Sequence, residues 1–242
     1  MAAILELDGV CKAFGAVVVA ESQSWSLEQG EALGVIGPNG AGKSSMFNLV
    51  TGALSTDRGA IRLDGKDITK WPAARRCRSG IARSFQVPQP FSGMTIFENA
   101  YVAATQGAGL AAEEAEALCL DVLERTGLLY KANALAGSLT LLERKRLELA
   151  RAMCTRPRVL LLDEIAGGLT DNECQALIGT IRDVRATGVS IVWIEHVVHA
   201  LMAVADRLIV INFGRKIAEG DPQEVMDSRQ VREIYLGIEA HG

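Results

Sequence analysis

No apolar run in these 242 residues approaches the roughly 18 that a membrane-crossing helix needs. Stretches such as Val159–Leu162 and Leu208–Ile211 are far shorter, so the chain does not cross a bilayer by itself and any membrane role must come through a partner. Cysteines are few and scattered. Cys11, Cys77, Cys119, Cys154 and Cys174 include no C-x-x-C pair, which excludes the usual zinc spacing and a disulfide framework; reduced thiols in a cytosolic protein are expected. The start has no basic segment followed by an apolar one, so no secretory signal is expected. A basic excess is also missing: the net charge of −4 argues against nucleic acid as a partner. Repeats, low-complexity tracts and obvious linkers are absent. The apolar share of 49% and charged share of 22% are those of a globular protein, long enough for one large domain or a domain with a lobe.

The patterning is that of an α/β core interrupted by helices. Ile4–Asp8 alternates apolar and acidic residues, as an exposed strand would. Ala32–Ile36 is a strand candidate running into a glycine-rich loop, and Ser44–Thr51 reads as the helix after it. Ile61–Gly65 and Ile81–Phe85 are further strand candidates. Residues 95–153 have helical character, with Ala111–Arg125 rich in Ala, Leu and Glu. Val159–Leu162 and Ser190–Ile194 are runs of the kind buried in parallel sheets, separated by a helix expected over Asp171–Ala186. Thr170 and Glu173 can box its start. Arg207–Ile211 and Lys216–Ala218 close the sheet, and Asp221-Pro222 is a helix start.

One motif carries a specific chemistry. Gly37-Pro38-Asn39-Gly40-Ala41-Gly42-Lys43-Ser44 matches G-x-x-x-x-G-K-[ST] in full, between a strand and a helix. Glycines let backbone N–H groups curl around phosphate oxygens, and the helix N-terminus adds positive potential. Lys43 would neutralise β- and γ-phosphates, Ser44 would ligate Mg²⁺, and Ser45 follows in the same nucleotide-binding turn. Val159–Leu162 ends in Asp163-Glu164. Asp163, at the C-terminal edge of a buried strand, can hold Mg²⁺ through water, while Glu164 can orient and deprotonate an attacking water. Ile191–Ile194 repeats that geometry and leads to His196, placed to meet the γ-phosphate or that water. His199 and His241 read as surface residues. Gln86 could bring an amide near the metal and the water.

These pieces, in this order, resemble the ABC ATPase family over nearly the whole chain. The resemblance implies a P-loop NTPase core with a parallel sheet, an N-terminal antiparallel β subdomain and an inserted helical lobe, with residues 1–94 and 156–242 as the α/β core and about 95–155 as the lobe. It implies ATP and Mg²⁺ as ligands and ATP hydrolysis coupled to transport. Phe14 stands where the family stacks an aromatic on adenine. Gln86 matches the glutamine that links the metal site to the lobe and the membrane partner. Gly168-Leu169-Thr170-Asp171 matches the loop that meets the opposite subunit. Ile81–Gln86, Met94–Asn99 and Tyr235-Leu236-Gly237 resemble the ATPases of branched-chain amino acid importers. That likeness implies a homodimer or a heterodimer with a second ATPase subunit, integral membrane permeases, a periplasmic or extracellular solute-binding protein acting indirectly, and a place on the cytoplasmic face of the cell membrane.

The departure lies in the signature. Where the family has roughly Leu-Ser-Gly-Gly-Gln, this chain has Leu139-Thr140-Leu141-Leu142-Glu143, with no glycine. Thr140 keeps the hydroxyl that would reach ATP on the opposite subunit, and Thr140-x-x-Glu143 is a capping box. Leu142 limits close backbone approach, and the Glu143 carboxylate repels ATP unless it folds back on the cap. Ile165 replaces a common proline at little expected cost. Non-transport ABC ATPases of DNA repair or translation usually carry a coiled-coil insert or two ATPase domains, neither of which is visible. A P-loop kinase or GTPase fits less well: the guanine motif N-K-x-D is missing.

Overall fold

The structure is a computed structural model that describes residues 3–236. Two long strands open the chain, β1 (Ala3–Phe14) and β2 (Val17–Glu28). With β4 (Arg58–Leu63) and β5 (Lys66–Asp67) they form an antiparallel sheet ordered β2-β1-β4-β5. The alternation at Ile4–Asp8 reflects one buried face rather than an exposed strand. Leu5 and Leu7 are core residues, whereas Glu6 and Asp8 turn outward toward Arg62. β2 went unread in the sequence because its polar half, Glu21–Ser26, has no apolar periodicity of its own.

The second sheet forms from runs that are apolar on both faces. β3 (Ala32–Ile36), β7 (Val159–Asp163) and β8 (Ser190–Ile194) are buried at every position, as in sheets covered on both sides. With β6 (Ile81–Arg83), β9 (Arg207–Asn212) and β10 (Arg215–Gly220) the order is β10-β9-β3-β8-β7-β6. Pairing is parallel except in the β9–β10 hairpin. Successive residues face opposite cores. Leu33 and Val35 pack with Met46 and Phe47 of α1 (Lys43–Thr51) and with Leu5 and Leu27 of the antiparallel sheet. Ala32 and Ile36 join the other core, which the later helices cover.

Between β6 and β7 the chain is mostly helical, after a short α2 (Ala73–Arg78) ahead of β6. α3 (Ile96–Val102), a π turn at Ala103–Gly107, α4 (Ala112–Arg125) and α5 (Leu141–Met153) run in that interval. Ile96, Cys119, Leu123 and Leu147 sink into the same core as Leu160 and Leu162 of β7. α6 (Asp171–Ala186) begins at the Thr170–Glu173 capping box, with both reciprocal bonds made. α7 (Val198–Met202), α8 (Pro222–Asp227) and α9 (Arg229–Leu236) complete the described elements; the Asp221 side chain accepts from Gln223 and Glu224 N–H at the start of α8. Arg76 is buried and donates to the carbonyls of Leu49 and Val50 (2.7 and 2.9 Å), fixing the C-terminal end of α1. His199 is exposed, as read from the sequence, while His241 and Gly237 lie outside the described residues.

Candidate functional site

Register gathers the motifs at one edge of the mixed sheet. Val35 pairs with Ile194 and Ile194 with Asp163, so β3, β8 and β7 end level; Arg83 ends β6 beside Leu161. β3 lies between β8 and β9, where the direction of chain progression reverses, and crevices for ligands form at such points. The loop after β3 requires its glycines. A Cβ on Gly37 would sit 2.1 Å from the Ile211 carbonyl oxygen, and one on Gly42, at φ +101°, 2.3 Å from that of Val19.

Lys43 opens α1 and is only 5% exposed. Its ammonium donates to the carbonyls of Gly37 (2.7 Å) and Pro38 (3.0 Å) and makes no ion pair among the described residues. Burial lowers its pKa, partly offset by the Glu164 and Asp163 carboxylates. Asn39, Gly40, Ala41, Gly42, Lys43, Ser44 and Ser45 line a cleft of about 370 Å³ with Gln86 and Glu164. An adjoining cleft of about 550 Å³ contains Ser44, Gln86 and Asp163 together with Arg83. Phe14, 54% exposed near the β1–β2 turn, and Thr140 line neither cleft.

The two carboxylates are held differently. Asp163 is buried; one oxygen accepts from Arg83 Nη2 at 2.5 Å, and Oδ1 has no partner. Glu164 has φ +47°, an unusual backbone for a residue with a side chain. Gln86 Nε2 donates to its Oε2 at 2.6 Å, and His196 Nε2 lies 2.8 Å from its Oε1. Glu164, Gln86 and His196, singled out separately in the sequence, therefore form one cluster.

Three further residues complete the edge. Glu195 is 1% exposed and accepts backbone N–H groups from Ala166 (2.6 Å), His196 (3.1 Å) and Val197 (3.5 Å), tying the loops after β7 and β8 together. Burial raises its pKa against those bonds. Lys145, buried on α5, reaches the Glu164 carbonyl at 3.4 Å, and its pKa falls through burial. Arg83 is the third. An acid directly after an apolar strand and a base at the end of another were the available signals, but neither names its partner without the register.

A bound nucleotide and Mg²⁺ fit this edge. A buried ammonium hydrogen-bonded to two backbone carbonyls suits an anion, and the Asp163 oxygen without a partner suits a cation. No trio of His, Cys, Asp and Glu among the described residues could hold a metal by itself.

At the glycine-free signature the carboxylate is turned away. Thr140 caps α5, and Glu143 folds back to accept from its N–H at 3.0 Å. The other Glu143 oxygen accepts from Lys131 Nζ (2.5 Å) and Tyr130 Oη (2.9 Å). The Lys131 ammonium first, then the cap and the Tyr130 hydroxyl, hold this carboxyl down to about 2. Leu142 packs into the core and Leu141 is exposed.

Phosphate loop, strand-end carboxylates and helical insertion together define an ATP-binding cassette. The family description "ABC transporter" matches residues 20–167, and "Branched-chain amino acid ATP-binding cassette transporter" matches 215–241. The chain is 36% identical to the high-affinity branched-chain amino acid transport ATP-binding protein BraF of Pseudomonas aeruginosa, covering 97% of this chain and 98% of that one. Identity to the corresponding protein LivG of Escherichia coli (strain K12) is 34%, with the same coverage. The ADP conformation of MJ1267, an ATP-binding cassette of an ABC transporter, superposes with a TM-score of 0.89 at 29% identity, over 98% of this chain and all of that one. The chain belongs to the ABC transporter ATP-binding family: it is a nucleotide-binding ATPase subunit of a membrane-associated transporter. Among the described residues no helix is long and apolar enough to cross a membrane.

Proposed function

We propose that this subunit drives uptake of branched-chain amino acids or related small solutes from the cytoplasmic face of the membrane. It would work with a second ABC ATPase subunit, a copy of itself or a similar chain, beneath integral permease subunits fed by a solute-binding protein. Support comes from the match at 215–241 and from the names of the relatives above. The observation that carries the catalytic part is the convergence of Lys43, Ser44, Asp163 and Glu164 on one sheet edge.

The loop Gly37–Ser45 would receive the triphosphate with its N–H groups and Lys43, and Phe14 would stack on the adenine. Ser44, Asp163 and Gln86 would hold Mg²⁺, whose positive charge would offset the negative charge that develops in transfer. Glu164 would take the proton of the attacking water. His196 and Gln86, bonded to its two oxygens, orient it and loosen one contact when it accepts that proton. Thr140 would face the nucleotide of the opposite subunit, with Glu143 already withdrawn. Residues 95–155 would act as the lobe that passes closure, through Gln86, to the permease, while 1–94 and 156–242 form the core.

Glu164→Gln tests the chemistry. The variant should bind ATP as the wild type does and hydrolyse it about 10²- to 10⁴-fold more slowly. Normal turnover would remove Glu164 as the base. A wild-type protein with no affinity for Mg·ATP, alone or with its membrane subunits, would end the reading.

A further inference from the structure

Arg83 sits where three parts of the site meet. It ends β6, two register steps short of the Asp163 level on β7. Its guanidinium is nearly enclosed, with the side chain 11% exposed. Nη2 donates to Asp163 Oδ2 at 2.5 Å and Nη1 to Asn48 Oδ1 at 2.6 Å. Asn48 follows Ser44 by four residues, so both lie on one side of α1. The guanidinium carbon lies 5.5 Å from the Phe47 ring centre and 5.2 Å from that of Phe85, the residue before Gln86. A planar cation bonded at two corners and flanked by rings has little freedom to turn, unlike the point charge of a lysine.

The consequence falls on Asp163. One of its oxygens is fixed by Arg83; the other is buried and has no partner. A carboxylate held by one oxygen presents the second in a defined direction, the role that outer hydrogen bonds play for metal ligands. We propose that Arg83 is a positioning residue for the divalent cation: it fixes Asp163 so that Oδ1 is offered beside Ser44, and it ties that geometry to the Phe85-Gln86 segment. The inference rests on the nucleotide-site reading above.

The test is binding of a fluorescent ATP analogue to the intact chain, titrated with Mg²⁺ and repeated in EDTA. Arg83→Met should raise the Mg²⁺ concentration for half-saturation about 10- to 100-fold, the usual effect of losing an outer partner of a metal ligand. Affinity in EDTA should stay within about twofold, since the phosphate loop is untouched. Arg83→Lys should give a smaller rise, because an ammonium can reach Asp163 but cannot also span to Asn48; this variant decides the matter if the methionine protein does not fold. An unchanged magnesium requirement in both variants overturns the proposal. So does an equal loss with and without Mg²⁺, which marks Arg83 as merely structural. A wild type that binds the analogue with no magnesium dependence overturns it too, and one that binds no nucleotide overturns the underlying reading first.

Discussion

Glu143→Gln separates the structural from the electrostatic role of the unusual signature. The carboxyl is held at about 2 instead of its ordinary 4.5, a difference worth about 3 kcal/mol without screening. Lys131 is 38% exposed at its side chain, so solvent weakens its share. An amide keeps the cap bond to Thr140 and the Tyr130 contact. About 1–2 kcal/mol of destabilisation at neutral pH is therefore expected. The sign follows from a depressed carboxyl: the stabilisation is complete above the unfolded value near 4.5 and lost as pH falls toward 2. Between wild type and variant, about three quarters of the neutral-pH gap should remain at pH 4 and about two fifths at pH 3. Urea unfolding at each pH measures it. ATPase activity gives the second arm: because the carboxylate already faces Lys131 and Tyr130, neutralising it should change KM for ATP by no more than about twofold. A gap that does not vary with pH would refute the ion-pair argument. A several-fold gain in ATP affinity would show that the charge faces the nucleotide after all.

Two further substitutions probe the sheet edge. Gly37→Ala forces a Cβ to within 2.1 Å of the Ile211 carbonyl; about 1–3 kcal/mol of stability and most nucleotide affinity should be lost, read by thermal melts with and without ATP. Glu195→Gln turns an amide donor toward the N–H groups of His196 and Val197. It should cost about 1–3 kcal/mol and speed hydrogen exchange at Ala166 and His196; unaltered exchange there would show that Glu195 does not tie the loops.

How far the sequence could be read depended on the range of the interaction. α6 was legible to the residue because its start is set by the local box of Thr170 and Glu173, and the same holds for Asp221-Pro222 at α8. β3, β7 and β8 were legible from their unbroken apolar runs, and the phosphate loop from its spacing. Partnerships between distant segments were not. Arg83 and Asp163 are 80 residues apart, Gln86 and Glu164 are 78, and Ala166 and Glu195 are 29. Each depends on strand order, and no single segment encodes that. Glu143 was readable only as an alternative, repelling or folded back; the choice was made by Tyr130 and Lys131, which a short 3₁₀ turn brings beside it.

The ends of β7 and β8 carry three carboxylates, Asp163, Glu164 and Glu195, and each is held by a different chemistry. Glu195 is enclosed and bonded by backbone N–H groups, which do not move without the loops themselves. Asp163 is bonded by the planar Arg83 guanidinium through one oxygen, leaving the other buried and without a partner. Glu164 alone is bonded by an amide and an imidazole on exposed side chains, from two different loops. Partners of that kind can let go singly, without exposing a buried charge. Of the three, Glu164 is thus the carboxylate whose surroundings suit the proposed role of base, and Glu195 the one that ties the loops after β7 and β8 together.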